Sequence, residues 1–228
     1  MGIFVNPGND GFRQALNSEI YVDKSDLISL TNERINSKQK YICVSRPRRF
    51  GKSLNLEMLA AYYSKGCDSP ILFDNLAISR TESYTAYLNK YNVIYLNMQD
   101  FLSISKSVEE MIEILTECLM IDFEDCFPDV KLYPRFGLSY NLKRIYESTK
   151  KVTADDDGNS VTEYEPFVFL IDEWDCIMRE NPDNEDEQKT YLDFIRNLLK
   201  DKTYVALAYM TGILPIEIPY TFFNKYVL

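Results

Sequence analysis

The apolar run Tyr41-Ile42-Cys43-Val44 leads directly into Ser45-Arg46-Pro47-Arg48-Arg49-Phe50-Gly51-Lys52-Ser53. No other feature constrains the fold as strongly. A short strand that turns through Gly-Lys-Ser into a helix is the ending of a phosphate-binding loop, because the helix start supplies backbone N–H groups and a glycine lets them approach an anion closely. After Ser53, the residues Leu54, Met58, Ala61 and Tyr62 recur at helical spacing, so a helix is expected over 53–63. The usual loop places a glycine five residues before Gly51, and here that position is Arg46. On the functional reading Gly51 would permit the backbone approach, Lys52 would bridge β- and γ-phosphate oxygens and the Ser53 hydroxyl would ligate Mg²⁺; the alternative is a basic loop that happens to contain Gly-Lys-Ser. Arg46, Arg48 and Arg49 either hold phosphate oxygens bidentately or pair with Asp172, Glu173 or Asp175, and the sequence leaves both readings open.

A second segment, Phe167-Val168-Phe169-Leu170-Ile171-Asp172-Glu173, is apolar without alternation until it ends in two carboxylates. That pattern predicts a strand buried on both faces. Ligands of open α/β sheets bind at the carboxyl ends of such strands. There Asp172 would hold the water shell of Mg²⁺ and Glu173 would polarise an attacking water. Asp175 reads as support behind them or as a partner for a loop arginine, and Trp174 as a packing residue. Thr211 follows the last apolar strand. It either senses the γ-phosphate or the lytic water, or is a turn hydroxyl before Gly212.

Four strands are expected, at 41–44, 93–96, 167–171 and 204–210. Helices are expected at 12–16, 26–36 with Ser25 as N-cap, 53–63, 108–127, 138–149 and 187–200, with polar, acidic loops at 150–165 and 181–186. This alternation implies an α/β fold with a parallel sheet covered on both faces by helices. Asp155-Asp156-Asp157-Gly158 does not make a calcium loop, since the position that needs glutamate holds Tyr164.

The chain has 228 residues, 46% hydrophobic and 26% charged, which suits an ordinary globular protein. Its formal net charge of −10 argues against a broad nucleic-acid-binding face. Histidine is absent, which excludes a histidine-dependent triad and a histidine-ligated metal. The five cysteines form no C-x-x-C pair and read as reduced thiols of a cytoplasmic protein. Neither a signal peptide nor an apolar run of membrane-spanning length is expected.

Tyr21-Val22-Asp23-Lys24-Ser25, the loop from Ser45 to Ser53, Leu72-Phe73, Leu170 to Asp175 and Met210-Thr211-Gly212-Ile213-Leu214 together resemble the AAA-ATPase-like family of prokaryotic proteins. Arginine in place of the first loop glycine is that family's own variation, and the resemblance runs from about Phe4 to Ile216. It implies a P-loop fold of the additional-strand catalytic-glutamate type. ATP and Mg²⁺ are the implied cofactors. Residues Arg46, Pro47, Arg48, Arg49, Phe50, Gly51, Lys52, Ser53 and Leu54 would contact the nucleotide, Ser53 and Asp172 the metal, and Glu173, Lys52 and Thr211 would serve catalysis.

The resemblance also brings Asp23-Lys24 into play, near the adenine. It implies a lead-in at 1–36, an ATPase core at 37–216 and a short tail at 217–228, either truncated where the family continues into a restriction-endonuclease-like domain or lacking that domain. That fused nuclease implies a nucleic-acid or defence-related process. The expected activity is Mg-dependent ATP binding with slow hydrolysis, a stimulating arginine coming in trans from Arg179 or Arg196. The alternatives are a non-hydrolysing ATP-dependent switch or an interaction module. Nucleotide is the expected partner, a homo-oligomer and a nucleic-acid partner stay open, and no membrane partner is expected.

Overall fold

The computed structural model describes residues 2–154 and 160–214. Its central element is β5 (Phe167–Asp172), in which every residue is buried. Around it lie β1 (Tyr41–Ser45), β2 (Asn92–Asn97) and β6 (Val205–Gly212), in the order β1-β6-β5-β2 and all parallel. Successive side chains of a strand point to opposite faces. Phe167, Phe169 and Ile171 therefore enter one apolar core, and Val168 and Leu170 the other.

The two cores are filled by different stretches of chain. On the Val168–Leu170 face lie α1 (Asp10–Leu16), α2 (Asp26–Asn32), α3 (Lys52–Tyr63), α4 (Pro70–Phe73) and α5 (Tyr84–Tyr87). On the Phe169 face lie α6 (Met98–Ser103), α7 (Val108–Cys126), α8 (Gly137–Ser148), α9 (Cys176–Glu180) and α10 (Glu185–Leu199). The chain crosses from β1 to β2 over the first face, then returns through β5 to β6 over the second. Reversing both direction and face keeps the hand of every crossover the same, as the rule for parallel sheets requires. All four strands thus end at one edge, where Ser45 is in register with Gly212 and Asn97 with Asp172.

Several local expectations give way to tertiary contacts. The helix expected to reach residue 36 stops at Asn32; Asn36 turns to φ 56° and its N–H bonds the Ala206 carbonyl at 2.9 Å. Ser25 does not cap α2, because its hydroxyl accepts the Ile78 N–H at 3.1 Å. The polar stretch 150–165 contains an antiparallel strand pair, β3 (Lys151–Ala154) with β4 (Ser160–Glu163), and every residue of both strands is exposed. Its β-branched Val152, Thr153, Val161 and Thr162 were the available signal, outweighed by the acidic residues between them. Short helices α6 and α9 were not anticipated, and Thr211 and Gly212 belong to β6 rather than to a turn. The acidic run 155–158 and the tail 217–228 lie outside the described residues.

All five cysteines are free thiols. Burial pushes Cys43 and Cys176 each up to about 12, so both stay protonated and serve packing. No described helix is long and apolar enough to cross a membrane.

The lead-in packs into the same body, with Val5, Phe12 and Ile28 buried. Residues 4–6 run along the outer edge of β2, where the Tyr95 N–H bonds the Phe4 carbonyl at 2.9 Å and the Asn6 N–H bonds the Val93 carbonyl at 2.8 Å. Asp122 of α7 fastens this segment by accepting the N–H groups of Phe4 at 2.6 Å and Val5 at 2.9 Å. Asp122→Ala strands both donors, and hydrogen bonds to a charged acceptor are worth about 1.5–3 kcal/mol each. A loss of at least ~2 kcal/mol in urea unfolding, with faster amide exchange at residues 4–6, is expected; an unchanged midpoint would contradict the fastening role.

Candidate functional site

The carboxyl edge of the sheet gathers the loop, two strand ends and the start of α3. The loop leaves β1 with the Arg46 N–H on the Gly212 carbonyl at 3.1 Å and the Ser45 hydroxyl on the Leu214 carbonyl at 2.7 Å. It re-enters helix at Gly51, whose φ of 76° lies in the left-handed region that glycine adopts freely. Gly51 offers α3 no side-chain cap, and Gly51, Lys52, Ser53 and Leu54 at the helix start wall the adjoining cavity. Arg49 at φ 70° and Glu173 at φ 50° hold the same unfavourable backbone region without being glycine, and such strain gathers at functional sites.

Asp172 joins these pieces. It is 2% exposed and accepts the Ser53 hydroxyl at 2.5 Å, the Thr211 hydroxyl, and the Glu173 N–H at 2.9 Å. Lys52 is also buried, and its ammonium donates to the carbonyls of Arg46 at 3.0 Å and Pro47 at 3.3 Å. Two of its three protons are thereby placed and one is left for a ligand.

Beside them opens a cavity of about 300 Å³ walled by Arg48, Arg49, Gly51, Lys52, Ser53, Leu54 and Glu173. Arg46, Pro47 and Phe50 form the exposed rest of the loop and do not wall it; Asp172 and Thr211 stand behind Ser53. A larger open depression of about 920 Å³ lies among Lys106 and residues 180–187. Its carboxylates would repel a triphosphate, so the smaller, basic cavity is the better phosphate site.

Of the two pairings open to the loop arginines, the one with acids is not formed among the described residues: none of Arg46, Arg48, Arg49 or Lys52 forms an ion pair with a carboxylate. The acids are taken instead by Arg179 of α9, which contacts Glu173 at 2.6 Å and Asp175 at 3.4 Å and donates to the Gln99 side chain at 3.1 Å. Arg179 is thus committed within its own chain, and Arg196 pairs with Asp193 on the exposed side of α10. Burial raises the Glu173 carboxyl above its ordinary range, with Asp172 adding to the rise and Arg179 opposing it.

Asp175 is fully buried and accepts the N–H groups of Ile213 and Leu214, both at 2.7 Å, fixing the chain as it leaves β6. Trp174 is fully buried, in keeping with a packing role. The Lys24 ammonium bonds the Phe50 carbonyl of the loop at 3.3 Å. Sequence reasoning missed the contacts of Arg179 with Glu173 and Gln99, because no motif links these three residues.

A family model described as "Predicted AAA-ATPase" matches residues 9–220, and the chain belongs to that AAA-ATPase-like family. Membership assigns it nucleotide binding and hydrolysis in general. None of the curated proteins compared with the chain matches it.

Gly212 is required by close packing at this edge. A Cβ there would lie 2.9 Å from both Asp175 Cγ and Trp174 Nε1. Gly212→Ala is expected to cost about 1–3 kcal/mol through overpacking. Its urea midpoint should fall, and an unchanged midpoint would show that the Trp174–Asp175 corner yields freely.

Proposed function

We propose that this chain binds MgATP in the cavity at Gly51–Ser53 and hydrolyses it slowly, with Glu173 as the group that directs the attacking water. One observation carries the reading: a loop with four cations that form no ion pair among the described residues adjoins an acidic strand end through the 2.5 Å Ser53–Asp172 bond, in a protein of net charge −10. Like charges left unpaired in one loop repel one another, and a polyanion removes that cost. The strand order adds support, since β6 separates the loop strand β1 from the acidic strand β5, the arrangement expected of an additional-strand P-loop enzyme.

The donor set suits magnesium. Among the described residues, no three carboxylate, thiol or imidazole groups converge into a metal cage. Mg²⁺ takes oxygen ligands, keeps several waters and is completed by substrate phosphates. The Ser53 hydroxyl gives its proton to Asp172, which leaves its lone pairs for a cation, and Asp172 backs it as acceptor. When bound, the ion would neutralise charge developing on the phosphate oxygens. Lys52 holds the β- and γ-phosphates, and Arg48 and Arg49 close on the cavity from the loop side. Thr211 fixes Asp172 from the neighbouring strand.

Glu173 accepts the proton of the water when ionised. Its raised carboxyl therefore places the acid limb of hydrolysis above the usual carboxylate range. Arg179 favours the ionised form and also occupies that carboxylate at 2.6 Å. This occupation supports a second reading, in which ATP is bound without turnover and serves as an ordering ligand.

Three outcomes test the proposal. MgATP raises the melting temperature of the wild type, as a ligand of the folded state must, and Lys52→Ala abolishes the rise; equal response of the two proteins refutes the site. Glu173→Gln retains the rise and loses phosphate release by about a hundredfold or more, the scale of a general base; unchanged release assigns the switch reading instead. Arg179→Gln shifts the acid limb of the pH–rate profile to higher pH, because the cation that favours ionised Glu173 is gone. A limb that stays in place would show that Arg179 does not act on Glu173 in turnover.

A further inference from the structure

We infer that Lys24 is a positioning residue of the phosphate loop, holding the Phe50–Gly51 peptide so that its N–H is offered to the bound phosphates. The inference rests on the nucleotide site proposed above and assigns a task to the Asp23-Lys24 pair that adenine contact does not explain.

The residues on either side of Lys24 are docked away from the loop. Both carboxylate oxygens of Asp23 are used, one on the Ser25 N–H at 2.8 Å and the other on the Ala77 N–H at 2.8 Å. Burial works against the Asp23 charge, but these N–H bonds and the nearby Arg80 outweigh it and hold the carboxyl below its usual range. Ser25 is fully buried and accepts the Ile78 N–H at 3.1 Å. The segment is thereby clamped to the turn at 77–80. Lys24, between the two clamps, sends its side chain to the loop and bonds the Phe50 carbonyl at 3.3 Å.

The rigidity of the peptide unit transmits this contact to the cavity. None of the described peptides is cis. In a trans peptide the carbonyl and the N–H point in opposite directions. A lysine that draws the Phe50 carbonyl to one side therefore turns the Gly51 N–H to the other, and Gly51 walls the basic cavity. The fit at Gly51 is close: a Cβ there would stand 3.2 Å from the Lys24 ammonium. Glycine thus serves both the positive φ and the approach of Lys24. Among the described residues Lys24 has no carboxylate partner, so the carbonyl is its bonded contact.

Binding of MgATP and MgADP to wild type, Lys24→Met and Lys24→Arg, measured by calorimetric titration alongside the unliganded melting temperature, tests the assignment. Lys24→Met keeps the stem and removes the donor. It should melt within a few degrees of wild type and lose about tenfold in affinity, the worth of one charge-assisted hydrogen bond. The loss should be equal for ATP and ADP, since a misturned loop peptide fails both, and Lys24→Arg should recover it. Wild-type affinity in Lys24→Met overturns the inference. A loss confined to ATP also overturns it, in favour of direct contact with the γ-phosphate. Failure of the wild type itself to bind either nucleotide refutes the site rather than the role of Lys24 within it.

Discussion

Asp172 carries its carboxylate where water barely reaches it, and three protons from separate parts of the chain make that burial tolerable. A buried charge without hydrogen bonds is expensive, and removing any donor exposes the rest of the cost. The Ser53 hydroxyl comes from the first turn of α3, the Thr211 hydroxyl from β6 and an N–H from Glu173 at the bend after β5. Satisfying this one group therefore sets the loop against two strand ends at once. The same set of bonds that makes the fold consistent also commits the Ser53 proton to Asp172.

Charge is sorted by sign around this point. The loop arginines are exposed and form no ion pair among the described residues, while Arg179 takes Glu173 and Asp175. Had the loop cations paired with those acids, the cavity would be neutral and closed. Arg179 sits at 11% side-chain exposure, so its contacts are poorly screened by solvent. It links the end of β2, through Gln99, to the carboxylate that follows β5.

Much of this was legible in the chain because it is local. The run Phe167–Ile171 carries a buried strand in its composition alone, and the segment from Tyr41 to Ser53 carries strand, turn and helix in sequence order. The parallel sheet with helices on both faces is implicit in that alternation. What the chain concealed is what depends on distant partners. Helix α2 ends early for a bond to Ala206, and Ser25 abandons its cap for Ile78. Lys24 lies 26 positions from Phe50 and Arg179 lies 80 from Gln99, and no spacing announces either meeting. The strand pair β3–β4 was hidden for a different reason: no face of it is buried, so no apolar pattern marks it.

Glu173, which we propose directs the attacking water, sits on a backbone that an ordinary L residue resists, at φ 50°. Such a conformation costs of order 1–3 kcal/mol, and glycine or asparagine would relieve part of it. If Glu173 has the proposed role, selection for folding alone and selection for turnover pull toward different amino acids at this position. In a library screened only for abundance, this glutamate would be among the first residues to drift, and its retention would report that catalysis is under selection.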